Sequence, residues 1–79
     1  MSDLEPVFRD VDGTLHEGER VGRFVVFRDI EGNTHAVASG SVAAVCQTDD
    51  GTMVLLPGGR MVHVPQVMAV VLAWLDGRG

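Results

Sequence analysis

The sequence predicts a mainly β protein, with a small bent antiparallel sheet or open barrel of five to six strands and one C-terminal helix. Short apolar runs are separated by turn signals in which an acidic residue precedes glycine. These glycines, Gly13, Gly32 and Gly51, follow one another at intervals of nineteen residues. Acidic-Gly pairs favour hairpins because glycine accepts a positive φ. A helical pattern of apolar residues appears only over 66–76.

The elements upstream of the helix are all expected to be strands joined by turns. A loop or bulged bend is predicted at 18–22, and a break at 39–41. Residues 23–30 carry apolar groups on both faces, which indicates a central or sharply curved strand. The predicted strands, in order, are a weak hairpin over 6–17 and strands at 23–30, 34–38, 42–48, 52–56 and 60–64.

The last element is predicted to be a helix over 66–76. Pro65 suits the first turn, where its missing N–H costs nothing. Gly77 suits the position after the helix end, with Arg78 near its negative pole. Two sets of apolar positions recur at helical spacing, Val67, Val70, Val71 and Trp74 in one and Met68, Leu72 and Leu75 in the other.

This helix has almost no polar face, because every residue from 67 to 75 is apolar. A small domain covers one side of such a helix, and soluble monomers avoid an exposed apolar patch on the other. We therefore expect a homo-oligomer, or a complex with another protein, in which Val67, Val70, Val71 and Trp74 anchor the interface. In the alternative, the helix lies deep in a concave sheet with Ala69 and Ala73 outward.

Composition limits the chain to one small domain over 1–79, with 1–5 expected to be flexible. The 46% of hydrophobic and 22% of charged residues are typical of a globular chain.

The net charge of −5 and the dispersed arginines argue against a general nucleic-acid or membrane-surface binder. The longest apolar run, 67–75, is about half the ~20 residues that span a bilayer. The acidic N-terminus predicts no secretory signal.

Lone Cys46 excludes an internal disulfide and fits a reducing compartment, so a cytoplasmic location is expected. Its position within a predicted strand indicates a small buried hydrophobe.

Two patterns bear on catalysis and metal binding. Asp10-Val11-Asp12-Gly13-Thr14-Leu15 resembles the first motif of haloacid-dehalogenase-type phosphatases, in which the first Asp is the nucleophile and the second a general acid. The chain has no lysine and is too short for that fold, so the interpretation preferred is an Asp-Gly turn and no enzyme. The histidines, His16, His35 and His63, lack metal-ligand spacing, and no metal or cofactor is expected.

The stretch from Val7 to Asn33 contains, in order, Asp12-Gly13, Gly22, Phe24-Val25-Val26-Phe27, Asp29 and Asn33. This order resembles the first motif of Sm-like small β-barrels. The resemblance implies a bent five-stranded sheet, ring-like oligomers and RNA binding through Asp29 and Asn33, with Arg28 or Arg60 as the arginine.

A second resemblance covers 26–75, where the order of strands, turn glycines and helix is similar to FlbD/SwrD-type small flagellar accessory proteins. This resemblance implies a protein without a catalytic site. The sequence thus predicts a non-catalytic, self-associating β module that acts as a protein–protein interaction unit. The alternative is an Sm-like oligomeric RNA-binding protein.

Overall fold

The structure, a computed structural model, describes residues 13–77 and is mainly β with one C-terminal helix, as predicted. Two three-stranded antiparallel sheets have the orders β1-β2-β3 and β4-β5-β6, and they do not close into a barrel. The elements are β1 (Arg20–Val21), β2 (Phe24–Arg28), β3 (Thr34–Ala38), β4 (Ala44–Thr48), β5 (Gly51–Leu55), β6 (Met61–Val64) and α1 (Met68–Asp76).

Strand β2 is the centre of the first sheet, which confirms the prediction from its two apolar faces. Val25, Val26 and Phe27 are all buried. The turn from β2 to β3 is held by Asp29, whose Oδ1 accepts the N–H groups of Glu31 and Asn33, each at 2.9 Å. Such a side-chain-to-backbone arrangement is the reason Asp favours turns.

The second sheet is a meander of two tight hairpins. Asp49 and Asp50 form the turn between β4 and β5, with Thr48 opposite Gly51 in the register. Gly51 has φ of 148°, and a Cβ there would lie 2.2 Å from the Val64 carbonyl oxygen. Glycine is therefore required at this turn by contact with β6 as well as by its backbone angle.

Three details differ from the predictions. The bend predicted at 18–22 contains β1, because Arg20 and Val21 pair with Val25 and Phe24. Pro65 precedes the helix, which begins at Met68 with Val67 as N-cap. The predicted hairpin at 6–17 lies mostly outside the described residues, and its described part, 13–17, forms no strand.

The prediction that Cys46 is buried is wrong, since its side chain is exposed. Strand β4 lies at the edge of its sheet, and successive side chains alternate between the two faces. Val45 turns toward the core. Cys46, as its neighbour, turns away.

Both sheets and the helix share one hydrophobic core built mostly from valine. The Trp74 ring packs against Phe27 with ring centroids 5.9 Å apart. The buried polar residue Thr52 donates its hydroxyl to the Gln66 carbonyl at 2.7 Å, which satisfies both groups. The buried apolar members of the core are Val25, Phe27, Val37, Val54, Val62, Val64 and Val71.

Helix α1 is capped at each end by a side chain from a distant element. The Met68 N–H donates to Oε1 of Gln47 on β4 at 2.9 Å. At the other end, Arg20 Nη2 donates to the carbonyls of Trp74 and Leu75 at 3.0 and 3.2 Å. These contacts satisfy terminal groups that a helix cannot satisfy alone, and they fix α1 to both sheets.

Candidate functional site

A groove of about 430 Å³ lies between β3 and β6, the facing edge strands of the two sheets. The 56–60 turn before β6 completes its wall. Its lining includes Phe24, Ala36, Ala38, Leu56, Arg60 and Met61.

The backbone of β3 offers free hydrogen-bonding groups to this groove. Ala36 lies opposite Val26, but Val26 uses its own N–H and C=O on Glu19 and Gly18, at 2.9 and 2.7 Å. In an antiparallel pair only alternate residues exchange hydrogen bonds. The N–H and C=O of Ala36 therefore point away from β2, toward the open edge.

The backbone of β6 is arranged in the same way. The Leu56 N–H bonds the Arg60 carbonyl at 2.8 Å, so Met61, one residue later, points its backbone groups away from β5. Two residues further on, the His63 carbonyl accepts the Ile30 N–H at 3.0 Å. The sheets are thus joined at Ile30 and His63, and the groove opens beside this junction.

The groove is apolar with a positive rim. Phe24 and Met61 line it and are 37% and 56% exposed. The Arg23 guanidinium lies over the Phe24 ring at 5.2 Å from the centroid. Within residues 13–77, Arg60 makes no ion pair or hydrogen bond through its side chain, and no acidic side chain lines the groove.

The outer side of α1 is a second apolar surface. The four predicted interface residues differ widely in exposure. Val71 is fully buried in the core and Trp74 packs there against Phe27, while Val67 is 57% exposed. Val70 is half-buried.

We call the apolar part of the exposed side of this helix the outer stripe, defined by Ala69, Leu72 and Ala73; the exposed Asp76 follows it at the end of the helix. Leu72 is 46% exposed, and both alanines are exposed. Their spacing of three and four residues places them on one helix face. This is the outward placement of Ala69 and Ala73 that the sequence offered as an alternative.

The residues of the nucleic-acid alternative do not all come together. Arg28, Asp29 and Asn33 share the turn between β2 and β3, whereas Arg60 lies on the groove. The Asp29 carboxylate is already engaged by two backbone N–H groups and by His35 Nε2 at 2.7 Å. The hydrogen bond from His35, followed by that from the Asn33 N–H, lowers the pKa of Asp29.

A second histidine is also paired with a turn aspartate. His63 Nε2 lies 3.1 Å from Asp50 Oδ1 and 3.5 Å from the Thr48 hydroxyl. Both contacts fall on the same ring nitrogen, whereas a nucleophile–base–acid triad uses the two nitrogens for different partners.

Over residues 13–77, no three His, Cys, Asp or Glu side chains cluster as metal ligands. Asp10 and Asp12 lie outside the described residues.

No helix within the described range is both long and apolar enough to cross a bilayer. No known protein family, characterised protein or solved structure shows significant similarity to this chain. The resemblances to Sm-like barrels and to FlbD/SwrD-type proteins therefore remain predictions.

Sequence reasoning did not identify the groove or the role of Leu72. A signal for the groove was present in Thr34-His35-Ala36-Val37-Ala38, a strand without any charge or proline that an exposed edge usually carries. Pairing that strand with β6 across a gap required the three-dimensional structure. Leu72 belongs to the apolar run, but its outward direction follows from which residues pack on the core.

Proposed function

We propose that the chain is a non-catalytic, self-associating protein-interaction module in which α1 packs against α1 of a second copy. The observation that supports this proposal most directly is the outer stripe. It carries Leu72 at 46% exposure between two exposed alanines, and the charged residue of this helix face, Asp76, lies at its C-terminal end. A solvent-facing helix side is normally polar.

The shape of the outer stripe suits a helix pair. Ala69 and Ala73 are four residues apart on either side of Leu72, and small side chains permit two helix axes to approach to about 8 Å. Each leucine then fits against the alanines of the other copy. A two-fold arrangement uses the same surface on both copies, so one stripe is sufficient for a closed dimer.

The expected affinity is weak. Burying the exposed half of Leu72 contributes about 1 kcal/mol, from the usual 1.5–3 kcal/mol for a whole side chain. Two copies thus gain roughly 2 kcal/mol from their two leucines, while even a millimolar dimer needs about 4 kcal/mol. We expect a concentration-dependent equilibrium in the millimolar range, with Val70 and the alanines adding to the contact.

Sedimentation equilibrium from about 10 µM to about 5 mM tests the proposal, because the upper part of this range reaches the expected affinity. The wild-type mass should rise with concentration from 8.4 kDa. Leu72→Glu should remain monomeric throughout. Leu15→Glu is the matched control, since Leu15 is 37% exposed and lies outside α1.

Two results contradict the proposal. One is a wild-type protein that stays at the monomer mass over the whole range. The other is equal dissociation by Leu15→Glu and Leu72→Glu, which would show an effect of added charge rather than of the outer stripe. Trp74 is not a suitable probe, because it packs in the core and a charge there would unfold the chain.

A further inference from the structure

The groove between β3 and β6 is a surface that self-association through α1 does not use. We propose that it binds an extended segment of another protein by strand addition along β3, and that this segment carries a carboxylate that pairs with Arg60. A free strand edge, an apolar lining and an unmatched positive charge occur together here, and each specifies one property of the ligand.

The free edge specifies an extended backbone. Strand β3 presents the N–H and C=O of Ala36 outward, and the same alternation applies to Ala38 at the end of the strand. Proteins usually protect such edges with lysine, proline or a bulge. None of these interrupts Thr34–Ala38. A peptide that hydrogen-bonds there extends the sheet by one strand.

The lining specifies apolar side chains at alternate positions of the ligand. Every second side chain of an added strand points to the same side. Phe24 and Met61 line the groove from opposite sheets and are both partly exposed, so they can receive these side chains. Ala36 and Ala38 have small side chains that leave space beside the edge.

The charge specifies a carboxylate. Arg60 is exposed at the groove and makes no side-chain pairing within the described range. Arg23, stacked on Phe24, adds a second positive charge beside the groove. A protein segment with one or two acidic groups matches this rim. A nucleic acid matches it less well, because a chain of net charge −5 repels a polyanion.

The test uses the full chain labelled with ¹⁵N and an acetylated, amidated pentapeptide of alternating valine and glutamate. We expect the amide resonances of Ala36, Ala38 and Met61 to shift in a saturable way. The same peptide with lysine in place of glutamate should bind about ten-fold more weakly, because two charge contacts change sign. A glutamate peptide N-methylated at alternate residues keeps every side chain but loses strand hydrogen bonds, and should not bind.

Two variants distinguish binding in the groove from a general electrostatic attraction between the protein and the peptide. Arg60→Glu should reverse the preference, so that the lysine peptide binds more tightly than the glutamate peptide. Arg28→Glu makes the same change of charge at an exposed arginine that does not line the groove, and should leave the preference as in the wild type. A ¹⁵N spectrum of each variant shows that it is folded.

Several outcomes overturn the proposal. Equal binding of the N-methylated peptide would exclude strand addition. Shifts confined to β4, the other open edge of the second sheet, or to α1 would place the ligand elsewhere. Absence of any amide shift at about 2 mM peptide, a concentration at which even a complex with a Kd of about 1 mM would be largely formed, would show that the groove does not bind this ligand. Shifts of these amides by a uridine-rich pentanucleotide but not by the peptide would favour nucleic acid.

Discussion

The contact between Gly18 and Trp74 gives the sharpest test of the packing. Gly18 has φ of +85°, and a Cβ there would lie 2.5 Å from both Cε2 and Nε1 of the Trp74 ring. Gly32 has a similar φ of +89° in another turn, but a Cβ there meets nothing within 4 Å. Replacing each glycine by alanine therefore separates the cost of the backbone angle from the cost of the collision.

The two substitutions should lower the free energy of unfolding by different amounts. Gly32→Ala places an L-residue in the left-handed region, which costs about 1–2 kcal/mol. Gly18→Ala has this cost and must also displace the ring that packs on Phe27, adding about 1–3 kcal/mol for overpacking and the lost aromatic contact. We expect Gly18→Ala to lower the free energy of unfolding by about 2–5 kcal/mol, a large part of the roughly 4–12 kcal/mol of a chain this size.

Urea denaturation followed by fluorescence measures both effects, since Trp74 is the only tryptophan. Native emission should shift to longer wavelength in Gly18→Ala, as the ring gains contact with water, and should not shift in Gly32→Ala. In a Trp74→Leu background, followed by circular dichroism, the cost of Gly18→Ala should fall to that of Gly32→Ala. Equal costs for the two alanine variants in the wild-type background, with unchanged emission, would refute the Trp74 packing described here.

Three further predictions concern single polar contacts. Thr52→Val should lower the free energy of unfolding by about 1–3 kcal/mol, because it leaves the Gln66 carbonyl without its buried donor. Thr52→Ser keeps the hydroxyl and should lower the free energy of unfolding clearly less in the same urea titration. Arg20→Met should lower the free energy of unfolding by about 1–3 kcal/mol through the two uncapped carbonyls of α1, with Arg20→Lys intermediate; a Lys variant as stable as the wild type would show that the guanidinium geometry is irrelevant. The pKa of Asp29 is lowered from 3.8 in the fold, so its ionised form stabilises the protein above that pH, and this contribution is lost as the pH falls from 3.8 through the lowered pKa. The difference in stability between wild type and Asp29→Asn should therefore shrink as the pH falls below 3.8; a difference that grows over this acidic range would contradict the Asp29 contacts.

Local signals in the sequence were sufficient to predict β2 to β6 and the helix, but they did not predict β1. The turn glycines Gly32 and Gly51 separate the strands as expected, and the predicted strand 34–38 has the bounds of β3. These features depend on neighbours in the chain, such as Asp29 with the backbone of its own turn. Periodicity also predicted α1 to within two residues of its first residue.

Long-range contacts were not predictable in the same way. Arg20 caps a helix that lies more than fifty residues later, and nothing in its own surroundings in the sequence indicates that role. Cys46 was placed in a strand correctly but on the wrong face. A predicted strand does not show whether it lies at the edge or the centre of a sheet, or which of its faces the core will cover. The two candidate surfaces were the least predictable features, because both depend on which side chains the core leaves exposed.

The two proposed surfaces lie on different elements, and this makes the proposals separable. Helix α1 contacts β4 and β5, whereas β3, β6 and the 56–60 turn line the groove. Substitutions at exposed side chains that share no partner usually have independent effects, and Leu72 and Arg60 are both exposed. We therefore expect Leu72→Glu to abolish self-association and leave peptide affinity unchanged, and Arg60→Glu to leave self-association unchanged and reverse the peptide preference. If one variant instead affects both measurements, the groove and the outer stripe belong to a single interface between copies, and the ligand of the groove is the chain itself.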